Sequence, residues 1–201
     1  MAQDEEEIVD PFASEPEERD RALANRLESL SGARIAVFSN TKKNADHFLR
    51  GVGEHLEAHY DVEVSDVVYK DVATSGADEE VYDRLREYDG VLLAYGDCGS
   101  CSSWTMYDAF QLEDSGIPTA VFCSEEFTTL CQFEAENQGV PGLPIVEFGH
   151  PIADLDPDTV VDERVTDEVV ERTVEALTTP AEELPEIYEG RYTGESGVAS
   201  D

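Results

Sequence analysis

The feature that most constrains this chain is a set of short, mainly apolar runs, Ile35-Ala36-Val37-Phe38, Val91-Leu92-Leu93-Ala94-Tyr95, Thr119-Ala120-Val121-Phe122 and Ile145-Val146-Glu147-Phe148, the first two unbroken, separated by stretches with helical periodicity. Runs of this length with no polar alternation suit parallel strands covered on both faces by helices. Ala45, Phe48, Leu49, Val52 and Leu56 mark one face of a helix after the first run, and Val169, Val170, Thr173, Val174 and Leu177 mark another near the end. Val62, Val64, Val67 and Val68 read as one further strand, with a slip in alternation near Asp66. Ala22, Leu23, Leu27 and Leu30 recur at helical spacing, which predicts a short helix over 20–30.

Strands alternating with helices imply an α/β fold: a single-domain three-layer sandwich on an open, mainly parallel five-stranded sheet, flavodoxin-like or Rossmann-like, with strand order 2-1-3-4-5. In that order ligands bind at the switch point, outside the carboxyl ends of the strands. The domain is expected to span 20–178. An acidic arm over 1–19 and a tail over 179–201 carry little apolar periodicity and read as disordered.

One loop at the expected switch point carries chemistry. Gly96-Asp97-Cys98-Gly99-Ser100-Cys101-Ser102-Ser103 follows the third strand, and a helix is predicted to start near Trp104, capped by Ser102 or Ser103. Free N–H groups and the positive end of that helix favour a thiolate at Cys98. Cys101 is then placed to resolve an adduct as a disulfide. Asp97 is a candidate general base or turn cap, and His150, directly after the fifth strand, a candidate acid or base. On the same rim Asn40, Lys42 and Asn44 are candidates for holding an anionic group, with Ser103, Asp108 and Cys123 as further binding candidates. A zinc site would need Cys123 and His150 to join Cys98 and Cys101, but the second ligand pair of most structural sites is missing. No metal and no cofactor are therefore expected. Cys131 is expected to pack in the core.

The net charge of −34 arises from 47 acids against 13 bases, only three of them lysines, and excludes nucleic acid as a partner. An acidic excess spread over helix faces fits a halophilic protein of a saline cytoplasm, since at molar salt the Debye length is about 3 Å. An acidic interaction protein with disordered arms is the alternative. No apolar run reaches a membrane span and the start is acidic, so a cytoplasmic location with a small-molecule partner and no membrane is expected. Association into a homo-oligomer is left open.

Gly96-Asp97-Cys98-Gly99-Ser100-Cys101 with Ser103-Trp104 resembles the UGSC family, selenoproteins and their cysteine homologues, named for selenocysteine-Gly-Ser-Cys. The likeness extends to Asn40-x-Lys42, Asn44-Ala45, Asp108-Ala109, Gly116-Ile117-Pro118-Thr119, Phe127 and His150-Pro151-Ile152, covering about 26–175. Tyr107 and Lys43 depart from its usual pattern. The resemblance implies a reactive chalcogen at position 98, the selenocysteine position in relatives, and names no substrate. The expected activity is thus a thiol-dependent redox enzyme; a non-redox cysteine nucleophile or proton-transfer enzyme, and a metal-binding or regulatory module, are the alternatives.

Overall fold

A computed structural model describes residues 21–185. The arm read over 1–19 and most of the tail lie outside the described residues. The chain runs β1 (Ala33–Ser39), α1 (Ala45–His59), β2 (Val62–Val64), β3 (Val68–Tyr69), α2 (Glu79–Leu85), β4 (Gly90–Gly96), α3 (Gly99–Asp114), β5 (Thr119–Ser124), α4 (Thr128–Asn137), β6 (Ile145–Phe148), α5 (Pro157–Arg164) and α6 (Asp167–Thr178), ending in a 3-10 turn at Ala181–Glu183. All strand pairings are parallel, in the order β2-β1-β4-β5-β6 with β3 also on β1. β4 and β5 are buried at every residue, as their apolar runs require.

Two apolar layers close the sandwich. On one face α1, α5 and α6 cover the sheet, with Phe48 packed on Phe122 and Phe148 at ring-centroid distances of 4.9 and 4.8 Å. On the other, α2, α3 and α4 bring Leu85, Met106, Leu112 and Ala135 against Phe38, Leu93 and Val121. Each large side chain buried this way contributes roughly 1.5–3 kcal/mol. Gly116 and Gly139 take φ of 83° and 77° just after α3 and α4, the left-handed stop that glycine permits.

The sheet has six strands because the predicted second strand is split. The Ser65 hydroxyl accepts the Val37 N–H at 3.2 Å, replacing a backbone acceptor and letting the chain leave β1 between β2 and β3. The helix predicted over 20–30 is absent from the described part, 21–30. Tertiary partners take its backbone instead: Ala24 N–H donates to Glu113 Oε2 at 2.7 Å and Leu27 N–H to the Leu177 carbonyl at 2.8 Å. The Arg26 guanidinium grips both Glu113 oxygens at 2.9 and 3.0 Å, so Leu30 is buried and Leu23 and Leu27 partly buried along a strap without helix. Helix α5 was not expected, although Asp156 caps it through Thr159 N–H at 3.1 Å and Pro157 opens it, a recognisable start signal. Among the described residues no helix is long and apolar enough to cross a membrane.

Candidate functional site

The carboxyl ends of β1 and β4 are neighbours, and the chain leaves them toward opposite layers, α1 and α3. This is the switch point, and both polar loops meet there. β4 ends at Gly96, where a Cβ would stand 2.6 Å from Ser102 Oγ and 3.1 Å from Cys123 Sγ. Only glycine lets the strand end pass this close to the first turn of α3. The register of β4 on β5 shifts between Ala94 and Gly96, and the Ala94–Tyr95 peptide is cis.

Helix α3 begins at Gly99, earlier than the predicted start near Trp104, because Cys98 itself is the cap. Its backbone is extended and its Sγ accepts the Cys101 N–H at 3.3 Å. Ser102 sits inside the helix, buried, and its Oγ has no partner. A sulfur in the capping position receives an otherwise unsatisfied N–H and faces the positive end of a helix with no acid in its first turn. Cys101 Sγ accepts from Asp97 N–H at 3.4 Å and reaches Asp97 Oδ1 at 3.4 Å and the Cys98 carbonyl at 3.3 Å. Lys42 Nζ lies 3.0 Å from Asp97 Oδ1 and 4.0 Å from Cys98 Sγ.

These contacts separate the two thiols electrostatically. Burial pushes the Cys98 thiol up, but hydrogen bonds from the Cys101 side chain and backbone, then the Lys42 ammonium and the Ser100 hydroxyl, bring it below the ordinary 9.0. Burial, and then the neighbouring Cys98 sulfur, push Cys101 up to about 12. Burial also works against the charged Lys42, but Asp97 outweighs it and raises its pKa. Replacing Lys42 by Met should slow alkylation of Cys98 at neutral pH by roughly three- to tenfold, an effect that shrinks in molar salt because Lys42 is partly exposed. Residue-resolved iodoacetamide kinetics would measure it, and an unchanged rate would remove Lys42 from the site.

The remaining candidates are unequally placed. Asn40 is buried and organises the Lys42 loop: Nδ2 donates to the Tyr95 carbonyl at 2.7 Å and Thr105 Oγ1 at 3.0 Å, while Oδ1 accepts Lys42 N–H at 3.2 Å. Thr41 holds φ 64°, unusual for a β-branched residue, tied by Ser39 Oγ and the Asn40 carbonyl. Asn44 points the other way, donating to the Ile152 and Leu155 carbonyls. Ser103 bonds Glu134 on α4. Asp108 is fully engaged by Lys70, Tyr82 and Ala77 N–H. Cys123 is buried and donates to the Gly96 carbonyl at 3.4 Å. His150 is exposed, with Ser124, Glu125 and Phe127 as its contacts rather than either thiol of the C-x-x-C.

Ligand atoms of Asp97, Cys98 and Cys101 lie within 4.8 Å of one another. Three donors of this kind resemble part of a zinc shell, but the Lys42 ammonium holds the cation position beside Asp97, and Cys123 and His150 are engaged elsewhere. The set fits an ammonium-stabilised thiolate better than a metal.

Sequence reasoning passed over Tyr95, whose hydroxyl donates to the Lys43 carbonyl at 2.6 Å and pins the Lys42 loop to β4. A tyrosine ending an otherwise aliphatic buried strand was the available signal. It also passed over Lys70, one of only three lysines and completely buried.

Parallel sheet, switch-point loops and a helix-capping thiol next to a second thiol define an α/β protein with a C-x-x-C turn at its switch point. The UGSC family matches the chain over residues 7–179, and the chain belongs to that family. The match begins inside the segment read as an acidic arm. No curated protein matches the chain.

Proposed function

We propose that the protein is a thiol-dependent redox enzyme acting on a small, electrophilic and anionic substrate, with Cys98 as nucleophile and Cys101 as resolving thiol. The carrying observation is the sulfur pair at the helix start, one thiol below and one above its ordinary pKa, with Lys42 beside the lower. With a small disulfide as substrate, the Cys98 thiolate attacks one sulfur, the substrate S–S bond breaks and a thiolate leaves. Cys101 gives its proton to Asp97 and displaces the second substrate thiolate from Cys98, forming the Cys98–Cys101 disulfide. The substrate gains two electrons, and a small thiol donor returns them to the enzyme. Lys42 and the loop braced by Asn40 would hold the anionic group.

Mass spectrometry after mild oxidation should find a Cys98–Cys101 disulfide that dithiothreitol reverses. Two persistently free thiols would contradict the redox reading. A second reading, a non-redox cysteine nucleophile assisted by Asp97, draws on the high pKa of Cys101, which disfavours its attack. Turnover that survives Cys101→Ser would favour it.

A further inference from the structure

Behind the first pair lies a second. Cys131 on α4 and Cys123 on β5 are both completely buried, and Cys131 Sγ donates to Cys123 Sγ at 3.2 Å. Both are free thiols. Cys123 donates its own S–H to the Gly96 carbonyl, while the N–H of that same Gly96–Asp97 peptide donates to Cys101 Sγ. The two dithiols therefore hang on opposite ends of one peptide group without sharing a sulfur contact.

A groove of about 740 Å³ along β6 has Thr128 and Gln132 of α4 in its wall. Those residues are one helical turn apart, with Cys131 between them in sequence, and the Thr128 hydroxyl also acts on Cys123. Gln132 is buried and its Oε1 has no hydrogen-bond partner. An unsatisfied buried acceptor beside a groove is costly unless a small donor fills it. Hydrogen peroxide, little larger than water and carrying two O–H donors, has the required size and polarity.

We propose that Cys123 and Cys131 are a second redox couple, oxidised to a disulfide by hydrogen peroxide admitted past Gln132, and separate from the Cys98–Cys101 pair. Cys131 attacks a peroxide oxygen, the O–O bond breaks, and the departing hydroxide takes up the thiol proton as water. Cys123 then displaces the hydroxyl from the Cys131 sulfenic acid, forming the S–S bond and a second water; the two sulfurs supply the two electrons. The first attack is assigned to Cys131 because it directly precedes Gln132, the residue past which the peroxide is admitted. The sulfurs must close from 3.2 Å to about 2.05 Å, a small repacking between a helix and a strand already in contact.

The test uses the full chain with Cys98→Ser and Cys101→Ser, and in parallel the wild-type chain whose Cys98 has first been alkylated. After hydrogen peroxide, remaining thiols are blocked in denaturant and the chain is cut by a glutamate-specific protease, since Glu125 and Glu126 lie between the two cysteines. The expected result is a Cys123–Cys131 cross-linked peptide pair lacking two hydrogens, reversed by dithiothreitol, and formed more slowly in Gln132→Leu. Free Cys123 and Cys131 at a dose that oxidises the urea-unfolded chain would overturn the proposal, as would disulfides joining either to Cys98 or Cys101. A Cys123–Cys131 disulfide in a chain whose Cys98 and Cys101 never pair would sink the proposed function and leave this inference standing.

Discussion

Replacement of Asp108 by alanine is expected to lower the stability of the fold by roughly 3–5 kcal/mol, the usual effect of removing one partner of a buried ion pair. Lys70 Nζ and Asp108 Oδ2 stand 2.5 Å apart with both side chains 1% exposed. The other carboxylate oxygen accepts from Tyr82 Oη at 2.6 Å and Ala77 N–H at 2.9 Å, and Lys70 also donates to the Ser75 carbonyl at 2.7 Å. Removing the carboxylate strands a buried ammonium, a hydroxyl and an amide together. Urea unfolding monitored by circular dichroism would measure the loss, and Lys70→Met combined with Asp108→Leu should recover much of it by removing both charges. Because this cluster ties α3 to α2 and to the segment after β3 rather than touching the thiols, Cys98 alkylation should keep its rate in folded Asp108→Asn. A stable Asp108→Asn chain with a slow Cys98 would return Asp108 to the site.

Replacing Cys98 by serine should leave stability nearly unchanged and remove the chemistry. Serine is itself a favoured cap and can accept the Cys101 N–H that Cys98 now accepts, whereas Cys98→Ala should cost a further ~1 kcal/mol for the lost cap. The serine hydroxyl does not ionise near neutrality, so the only thiol left in the turn is Cys101. Burial still pushes the Cys101 thiol up once the Cys98 sulfur is gone, so its alkylation near neutral pH should be slow. Thermal unfolding and residue-resolved labelling of the same sample separate the two effects. A large fall in stability without loss of labelling would mean that Cys98 is only a cap.

The layers and strand order were legible because β1, β4 and β5 are short apolar runs, and burial on both faces leaves no other use for them. What sequence periodicity missed was decided by single polar partners distant in sequence. Glu113 claims the backbone and side chains of the strap before β1, so Leu23, Leu27 and Leu30 pack without a helix. Ser65 breaks one strand into two by substituting its hydroxyl for a carbonyl. Within the site, the Cys98 turn and the Lys42 loop were readable because strand ends in a parallel sheet share one rim. Its finer sorting was not. Asp108 lies on the same helix as the thiols, but its carboxylate points to Lys70, and no spacing rule foretells that. The contact between Cys123 and Cys131 likewise depends on how α4 is laid against β5, a matter of packing and not of period.

The proposed function begins at the Cys98 thiolate, and the most direct test is limiting iodoacetamide across a pH series with the adduct assigned to individual cysteines. Cys98 should label ahead of the others at neutral pH, with the midpoint of its pH–rate curve below the ordinary 9.0, while Cys101 stays unlabelled until strongly alkaline pH and Cys123 and Cys131 remain protected in the folded chain. First labelling at Cys101, Cys123 or Cys131, or a Cys98 midpoint at or above the ordinary value, would contradict it.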